Sequence, residues 1–352
     1  MLPVLFLAAA FWGVGMVLGT PVRLRWGMIG VLWLGVVVSH LLLPDDNPLR
    51  LATGESAAPW LLLGGVIALV LAYGAGLRWL RRRVGMRQAP LAPQQRSELF
   101  SEVELERYAR HIILREVGGP GQKKLKESSV LVIGAGGLGS PALLYLAAAG
   151  VGRIGIIDDD VVDLGNLQRQ VIHRDADIGL PKTRSAARAI AALNPHVTVE
   201  TYTRRLDAEI AADLFADFDL ILDGTDNFDS RYLANATAHA QGKPLISGAL
   251  SQWEGQVSVY DTARGTPCYQ CIFPEAPAPE LAPSCAEAGI MGPLPGVIGA
   301  MMAGEAVKLI TGAGHVLRGE MFIYDGLYSE SRKIGLKSRA GCPVCGGARA
   351  PD

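Results

Sequence analysis

Between Ser129 and Asp158 the chain passes from an apolar run, Val130-Leu131-Val132-Ile133, through Gly134-Ala135-Gly136-Gly137-Leu138-Gly139 into a helix-forming run, Ser140 to Ala149. Strand, glycine turn and helix in that order predict the opening of a parallel α/β sheet. Glycines at 134, 136 and 139 let the chain turn tightly, let backbone approach a ligand, and let helix and strand pack closely. The helix N-terminus then offers unpaired N–H groups and positive dipole to an anion. A second run, Ile154-Gly155-Ile156-Ile157, ends at Asp158, where a carboxylate can accept hydrogen bonds from ribose hydroxyls. Glycines used only for packing are the plainer alternative; the flanking strand, helix and acid favour a nucleotide.

The same signature serves dinucleotides, so the neighbouring residues decide which nucleotide is expected. Asn166-Leu167-Gln168-Arg169-Gln170 follows Asp158, Lys182 follows Pro181, and Arg110 stands upstream. Two or three cations around one glycine turn suit a triphosphate, whose charge must be neutralised as pyrophosphate departs. Taken singly, each also fits a solvated surface charge. A further strand end, Leu220-Ile221-Leu222-Asp223, leads to Thr225-Asp226-Asn227, placing acids at the ligand crevice of an open sheet. Asp226 suits magnesium, a hard cation that prefers carboxylate oxygen. Asp223 and Asn227 would serve equally as helix caps.

The mean hydropathy of +0.25 averages two different materials. Uncharged runs of 18 residues lie at 2–19, 26–43 and 60–77, close to the roughly 20 apolar residues that cross a bilayer as a helix. Residues 1–84 are therefore expected to hold three transmembrane helices. Residues 85–100, with Pro90 and Pro93, read as a linker, and 101–349 as an α/β catalytic domain. Arg78, Arg81, Arg82, Arg83 and Arg87 follow the third run, which puts the amino terminus outside and the catalytic domain in the cytoplasm, on the inner membrane. Ser39 and His40 fall near the end of the second run, where an interfacial position is favoured over a proton relay. A net charge of −1 gives no basic excess to suggest nucleic acid.

All five cysteines follow residue 260, where cytoplasmic thiols stay reduced. Cys268-Tyr269-Gln270-Cys271 and Cys342-Pro343-Val344-Cys345 carry the two-residue gap that lets thiolates share one tetrahedral zinc. A closed four-thiolate shell is structural, since it leaves no position for chemistry. Cys285 is left over in a loop-like, proline-rich segment, where an accessible thiol would capture an activated acyl group or remain a bystander.

From Arg107 to Gly346 the sequence resembles the ThiF/MoeB/HesA family, the molybdopterin-synthase and thiamine-pathway adenylyltransferases related to ubiquitin-activating enzymes. The matching pieces are Arg107-Tyr108-Ala109-Arg110, Gly118 to Gln122, the glycine turn, Asp158 with Asp160, Asn166 to Gln170, Lys182, Asn194-Pro195, Asp223 to Asn227, Glu254-Gly255-Gln256 and both cysteine pairs. The resemblance implies a Rossmann-like adenylation domain with a mixed sheet and a C-terminal zinc site. It implies ATP at Gly137, Asp158, Asn166, Arg169, Lys182, Asp226 and Asn227, and a homodimer whose Arg110 enters the partner's site. It also implies a ubiquitin-like sulfur carrier whose terminal glycine carboxylate attacks the α-phosphate. Gly165 departs from the serine expected before the asparagine motif, and the apolar region lies outside the resemblance.

The molybdopterin synthase small subunit is the expected carrier, with the thiamine-pathway carrier the alternative. Only seven residues follow Cys345, so sulfur is expected from a separate sulfurtransferase or cysteine desulfurase. An NAD-dependent oxidoreductase would leave Arg110, Arg169 and Lys182 without a task. A carrier-docking membrane scaffold would tolerate losing those cations.

Overall fold

The structure, a computed structural model, describes residues 2–54, 56–87, 99–277 and 288–346. It divides into two units, Met1–Arg96 and Ser97–Asp352.

The first unit is helical: α1 (Leu2–Val17), α2 (Val22–Leu42), α3 (Pro48–Thr53) and α4 (Ala58–Arg87). Helix α2 begins at Val22 rather than Trp26, so Arg23 and Arg25 lie in its first turn. Arg25 remains compatible with an apolar helix because its guanidinium turns back to the Thr20 carbonyl at 2.9 Å and stacks over Trp12. Helix α3 was not legible from the apolar pattern; Asn47 caps it by accepting from the Leu49 N–H, and Pro48 occupies its first turn. Helix α4 continues past Leu77 to Arg87, since no proline or glycine pair interrupts that stretch. The expected linker residues 88–98 and Cys285 lie outside the described residues.

His40 is buried, its Nε2 lying 2.9 Å from Thr53 Oγ1, while the Trp60 indole donates to the Thr53 carbonyl and the Trp33 indole to the Trp60 carbonyl. Among the described residues, Val22–Leu42, Ala58–Leu77 and Pro293–Thr311 are long and apolar enough to cross a membrane. The last of these is half buried within the second unit, where its apolarity serves the core. Helix α1, at 16 residues, is shorter than the run from which it was expected.

The second unit is built on eight strands: β1 (Ser129–Ile133), β2 (Arg153–Ile157), β3 (Thr198–Tyr202), β4 (Leu220–Asp223), β5 (Leu245–Leu250), β6 (Glu254–Tyr260), β7 (Glu320–Asp325) and β8 (Glu330–Gly335). Their order is β3-β2-β1-β4-β5-β6-β7-β8. The first five are parallel and the last three antiparallel. The helices are α5 (Glu102–Ile112), α6 (Gly118–Glu127), α7 (Gly139–Ala149), α8 (Lys182–Leu193), α9 (Ala208–Ala216), α10 (Phe228–Ala240), the single turn α11 (Tyr269–Ile272) and α12 (Pro293–Thr311).

Strand β1 is buried along its whole length, and its alternate residues feed two cores. Val130 and Val132 pack with Leu143, Leu146 and Ile298, while Leu131 and Ile133 pack with Phe215, Phe218 and Ala234. Burial on both faces explains its unbroken apolar run. The chain leaves β1 for β2 on one side and later places β4 on the other, so loops from the carboxyl ends of β1 and β4 diverge. That divergence is the ligand crevice of a doubly wound sheet.

Candidate nucleotide site and cysteine cluster

The glycine turn is shaped by close approach. Gly134 has φ +89°, a conformation that favours glycine. A Cβ on Gly139 would overlap the Gly134 carbonyl, and one on Gly299 of α12 would overlap the Leu138 carbonyl. Pro295 in the first turn of α12 closes on Gly137, where a Cβ would stand 3.1 Å from its ring. The turn is thus clamped between the end of β4 and α12, and Gly134, Gly136 and Gly137 line a cavity of about 1060 Å³. This volume is at the upper end of the range of small-molecule and cofactor sites.

Gly134, Gly136, Gly137, Asp158, Arg169, Lys182, Asp226 and Asn227 all line this one cavity. Asp158 caps the turn, accepting from the Ala135 N–H at 2.7 Å and the Asp160 N–H at 2.8 Å. Burial pushes its carboxyl above the ordinary carboxylate range, while the Ala135 N–H and the Lys182 charge oppose that rise. Lys182 is 5% exposed and pairs with Asp160 at 2.7 Å. Asn166, in a short 3-10 turn after β2, accepts from the Arg169 guanidinium at 2.8 Å, which orients Arg169 into the cavity. Gly139 lies at the start of α7, behind the turn.

Asn227 both lines the cavity and caps α10, accepting from the Ser230 N–H at 2.9 Å. Asp223 has neither role: it is 1% exposed, holds Thr225 and Ser247, and stands 3.7 Å from the buried Arg231. Asp226 is exposed in the cavity wall. The closely grouped carboxylates are Asp158, Asp159 and Asp160, a set the sequence reading did not assemble. Arg110 is exposed on α5 and does not line the cavity of its own chain.

Two supports behind the turn were missed from sequence. The His173 Nε2–H donates to the Ala135 carbonyl at 2.9 Å, and its Nδ1 lies 2.9 Å from Ser185 Oγ, which contacts Asp177 at 2.9 Å. Burial holds this imidazole's pKa below the ordinary histidine value. Arg231 donates to Ser247 at 3.1 Å and to the Gly248 carbonyl at 2.8 Å, tying α10 to β5. Both residues sit in polar stretches where only three-dimensional contact distinguishes a support from a surface residue.

Cys268, Cys271, Cys342 and Cys345 are buried together, with Sγ separations of 3.9, 3.6 and 3.4 Å along the chain of contacts. A tetrahedral thiolate site with metal–sulfur bonds of about 2.3 Å has sulfurs about 3.8 Å apart. The cluster therefore has the donor set and spacing to hold one metal ion. It flanks α11, whose Tyr269 and Ile272 line the nucleotide cavity.

The chain belongs to the ThiF family, whose pattern it matches over residues 108–344. It is 48% identical over 251 residues to the sulfur carrier protein adenylyltransferase of Thermus thermophilus, covering 70% of this chain and 93% of that protein. Over 243 residues it is 46% identical to the SAMP-activating enzyme E1 of Haloferax volcanii, covering 69% and 89%. A probable adenylyltransferase/sulfurtransferase MoeZ of Mycobacterium tuberculosis is 50% identical over 247 residues, which are 69% of this chain and 63% of MoeZ. Among solved structures, PaaA aligns with a TM-score of 0.59 at 26% identity, over 74% of this chain and 82% of its own. Escherichia coli MccB with ATP aligns with a TM-score of 0.59 at 23% identity over 68% and 74%, a likeness of fold.

Proposed function

We propose that the protein is an ATP-dependent nucleotidyltransferase that adenylates the C-terminal glycine carboxylate of a ubiquitin-like sulfur carrier. The observation that carries this reading is one cavity lined by the clamped glycine turn, Asp158, Arg169 and Lys182, in a chain close to named adenylyltransferases. Asp158 would receive the ribose hydroxyls. Arg169 and Lys182 neutralise phosphate charge as it shifts toward departing pyrophosphate. No protein base is required, because a terminal carboxylate is already ionised at neutral pH. Catalysis then consists of alignment and charge neutralisation. Magnesium, held by Asp226, would add neutralisation to the phosphates. The cysteine cluster would hold structural zinc. Arg110, exposed on α5, would be offered to a second copy in a homodimer.

The molybdopterin synthase small subunit is the proposed carrier, and the thiamine-pathway carrier the alternative. Carrier-dependent exchange of labelled pyrophosphate into ATP tests both. Exchange with one carrier names the substrate, and none with any carrier refutes adenylation. Asp226→Ala is expected to reduce exchange at least 100-fold; near-normal exchange would remove Asp226 from the metal role.

The apolar helices of the first unit support an inner-membrane anchor with the catalytic unit in the cytoplasm. Deleting residues 1–88 is expected to give a soluble protein whose exchange rate stays within about threefold of the full chain, since none of that unit's described residues lines the nucleotide cavity. An inactive soluble fragment would make the helices part of the mechanism.

A further inference from the structure

Around the glycine turn nearly every polar side chain has a protein partner: Arg169 has Asn166, Lys182 has Asp160, and His173 has Ala135. Among the described residues the exceptions are Ser140, whose buried Oγ at the start of α7 has no partner, and Gln170. Gln170 is 4% exposed, it lines the nucleotide cavity, and its Oε1 is fully enclosed with no hydrogen-bond partner. Its Nε2 lies beneath the turn, 3.6 Å from where a Cβ on Gly136 would stand. With Oε1 enclosed, Nε2 is the polar end left to face the cavity.

An enclosed amide oxygen without a donor destabilises the protein, whereas a thioether or hydrocarbon of the same length would fill this space without that penalty. Packing alone therefore does not account for glutamine here. An acceptor at Nε2 leaves Oε1 as it is but gives the glutamine a contact that a thioether or hydrocarbon cannot make, and the acceptor that a glycine turn beside a helix N-terminus collects is an anionic oxygen. The reverse orientation of the amide would turn a carbonyl oxygen toward that anion and enclose two N–H groups without acceptors.

We propose that Gln170 is a nucleotide-contacting residue whose Nε2 donates to a phosphate oxygen at the glycine turn, adding a neutral donor to the charges of Arg169 and Lys182. The assignment rests on the nucleotide reading above. A neutral donor at this point fixes the position of a phosphate without adding charge that would hold pyrophosphate back.

The test uses the full-length protein, Gln170→Met and Gln170→Glu. Methionine keeps length and apolar contact and removes the enclosed carbonyl. Its nucleotide-free melting temperature is expected to equal or exceed that of the parent, while KM for ATP in carrier-dependent exchange rises about 10-fold. Inorganic triphosphate should bind the methionine variant more weakly, and adenosine equally well. Glutamate, which sets a carboxylate against phosphate, should raise KM by about 100-fold. A methionine variant that melts lower but keeps its KM for ATP would reduce Gln170 to packing. Weakened adenosine binding with unchanged triphosphate binding would overturn the phosphate contact. If the parent itself shows neither ATP-dependent stabilisation nor exchange, the nucleotide reading fails first, an outcome separate from either of these.

Discussion

Replacing Cys342 by serine, or stripping metal from the protein with a strong chelator, is expected to lower the melting temperature by about 10 °C and to raise KM for ATP together with it. The four thiols come from segments 70 residues apart, and they tie the chain's last described stretch to α11. Without metal the cluster is poorly matched to its surroundings. Burial pushes the Cys268 and Cys271 thiols up; at Cys342 burial is outweighed by the Cys345 and Val344 N–H groups together with the Cys268 and Cys271 thiols, which draw it down to about 6. A dication that all four thiolates share would remove this mismatch, and structural zinc sites contribute on the order of 10 kcal/mol to folding in small peptides. In a large domain only the local part is lost, of the order of 3–5 kcal/mol, because the sheet folds around its own core. The coupling to ATP follows from α11: Tyr269 directly follows Cys268 and Ile272 directly follows Cys271, and both wall the cavity. Metal analysis should find one zinc per chain in the parent and none in the variant. A variant that keeps its zinc or its melting temperature would show that the cluster is not a closed metal site.

The parts of this molecule that were legible in the sequence are those whose physics is local. Val130 to Ala149 encodes strand, turn and helix within twenty residues, and each glycine in the turn meets a specific neighbour: Gly139 the Gly134 carbonyl, Gly137 the Pro295 ring. The cysteine pairs were legible because two-residue spacing expresses a coordination geometry, even though 70 residues separate the pairs. Gln170 and His173 were not singled out, since what distinguishes them is burial beneath the turn and contact with Gly136 and Ala135. Pro293–Thr311 is as long and apolar as a membrane helix, but Glu305 and Lys308 keep it out of the uncharged runs, and Gly299 and Ile298 serve packing against Leu138 and the sheet. Asp223 looked like a cap because it ends a strand ahead of a helix, and only the fold shows Arg231 returning to meet it.

Lys182→Met is expected to reduce carrier-dependent pyrophosphate exchange by 10²- to 10³-fold, roughly the effect of deleting one preorganised charge-stabilising group. Lys182 is the first residue of α8, at the positive end of the helix dipole, and it is 5% exposed. Both placements disfavour a cation. Its partner, Asp160, is 66% exposed, so the pair recovers only part of the cost of burial. A lysine so placed is stabilised further when polyphosphate enters, and most when charge concentrates on departing pyrophosphate. Methionine matches its length and removes a poorly solvated charge, so nucleotide-free stability should change by no more than about 1 kcal/mol. Arginine should restore little, because its planar guanidinium is broader than the ammonium it replaces. A second signature follows from Asp158. Burial already raises its pKa, and the Lys182 charge is one of the effects restraining that rise. Removing the charge lets the pKa climb, so a larger fraction of Asp158 is protonated at a given acidic pH and accepts from ribose more weakly. The acid limb of the exchange profile should therefore move to higher pH in Lys182→Met. A rate within threefold of the parent, or an acid limb that stays in place or moves to lower pH, would show that Lys182 serves Asp160 and the fold rather than the phosphates.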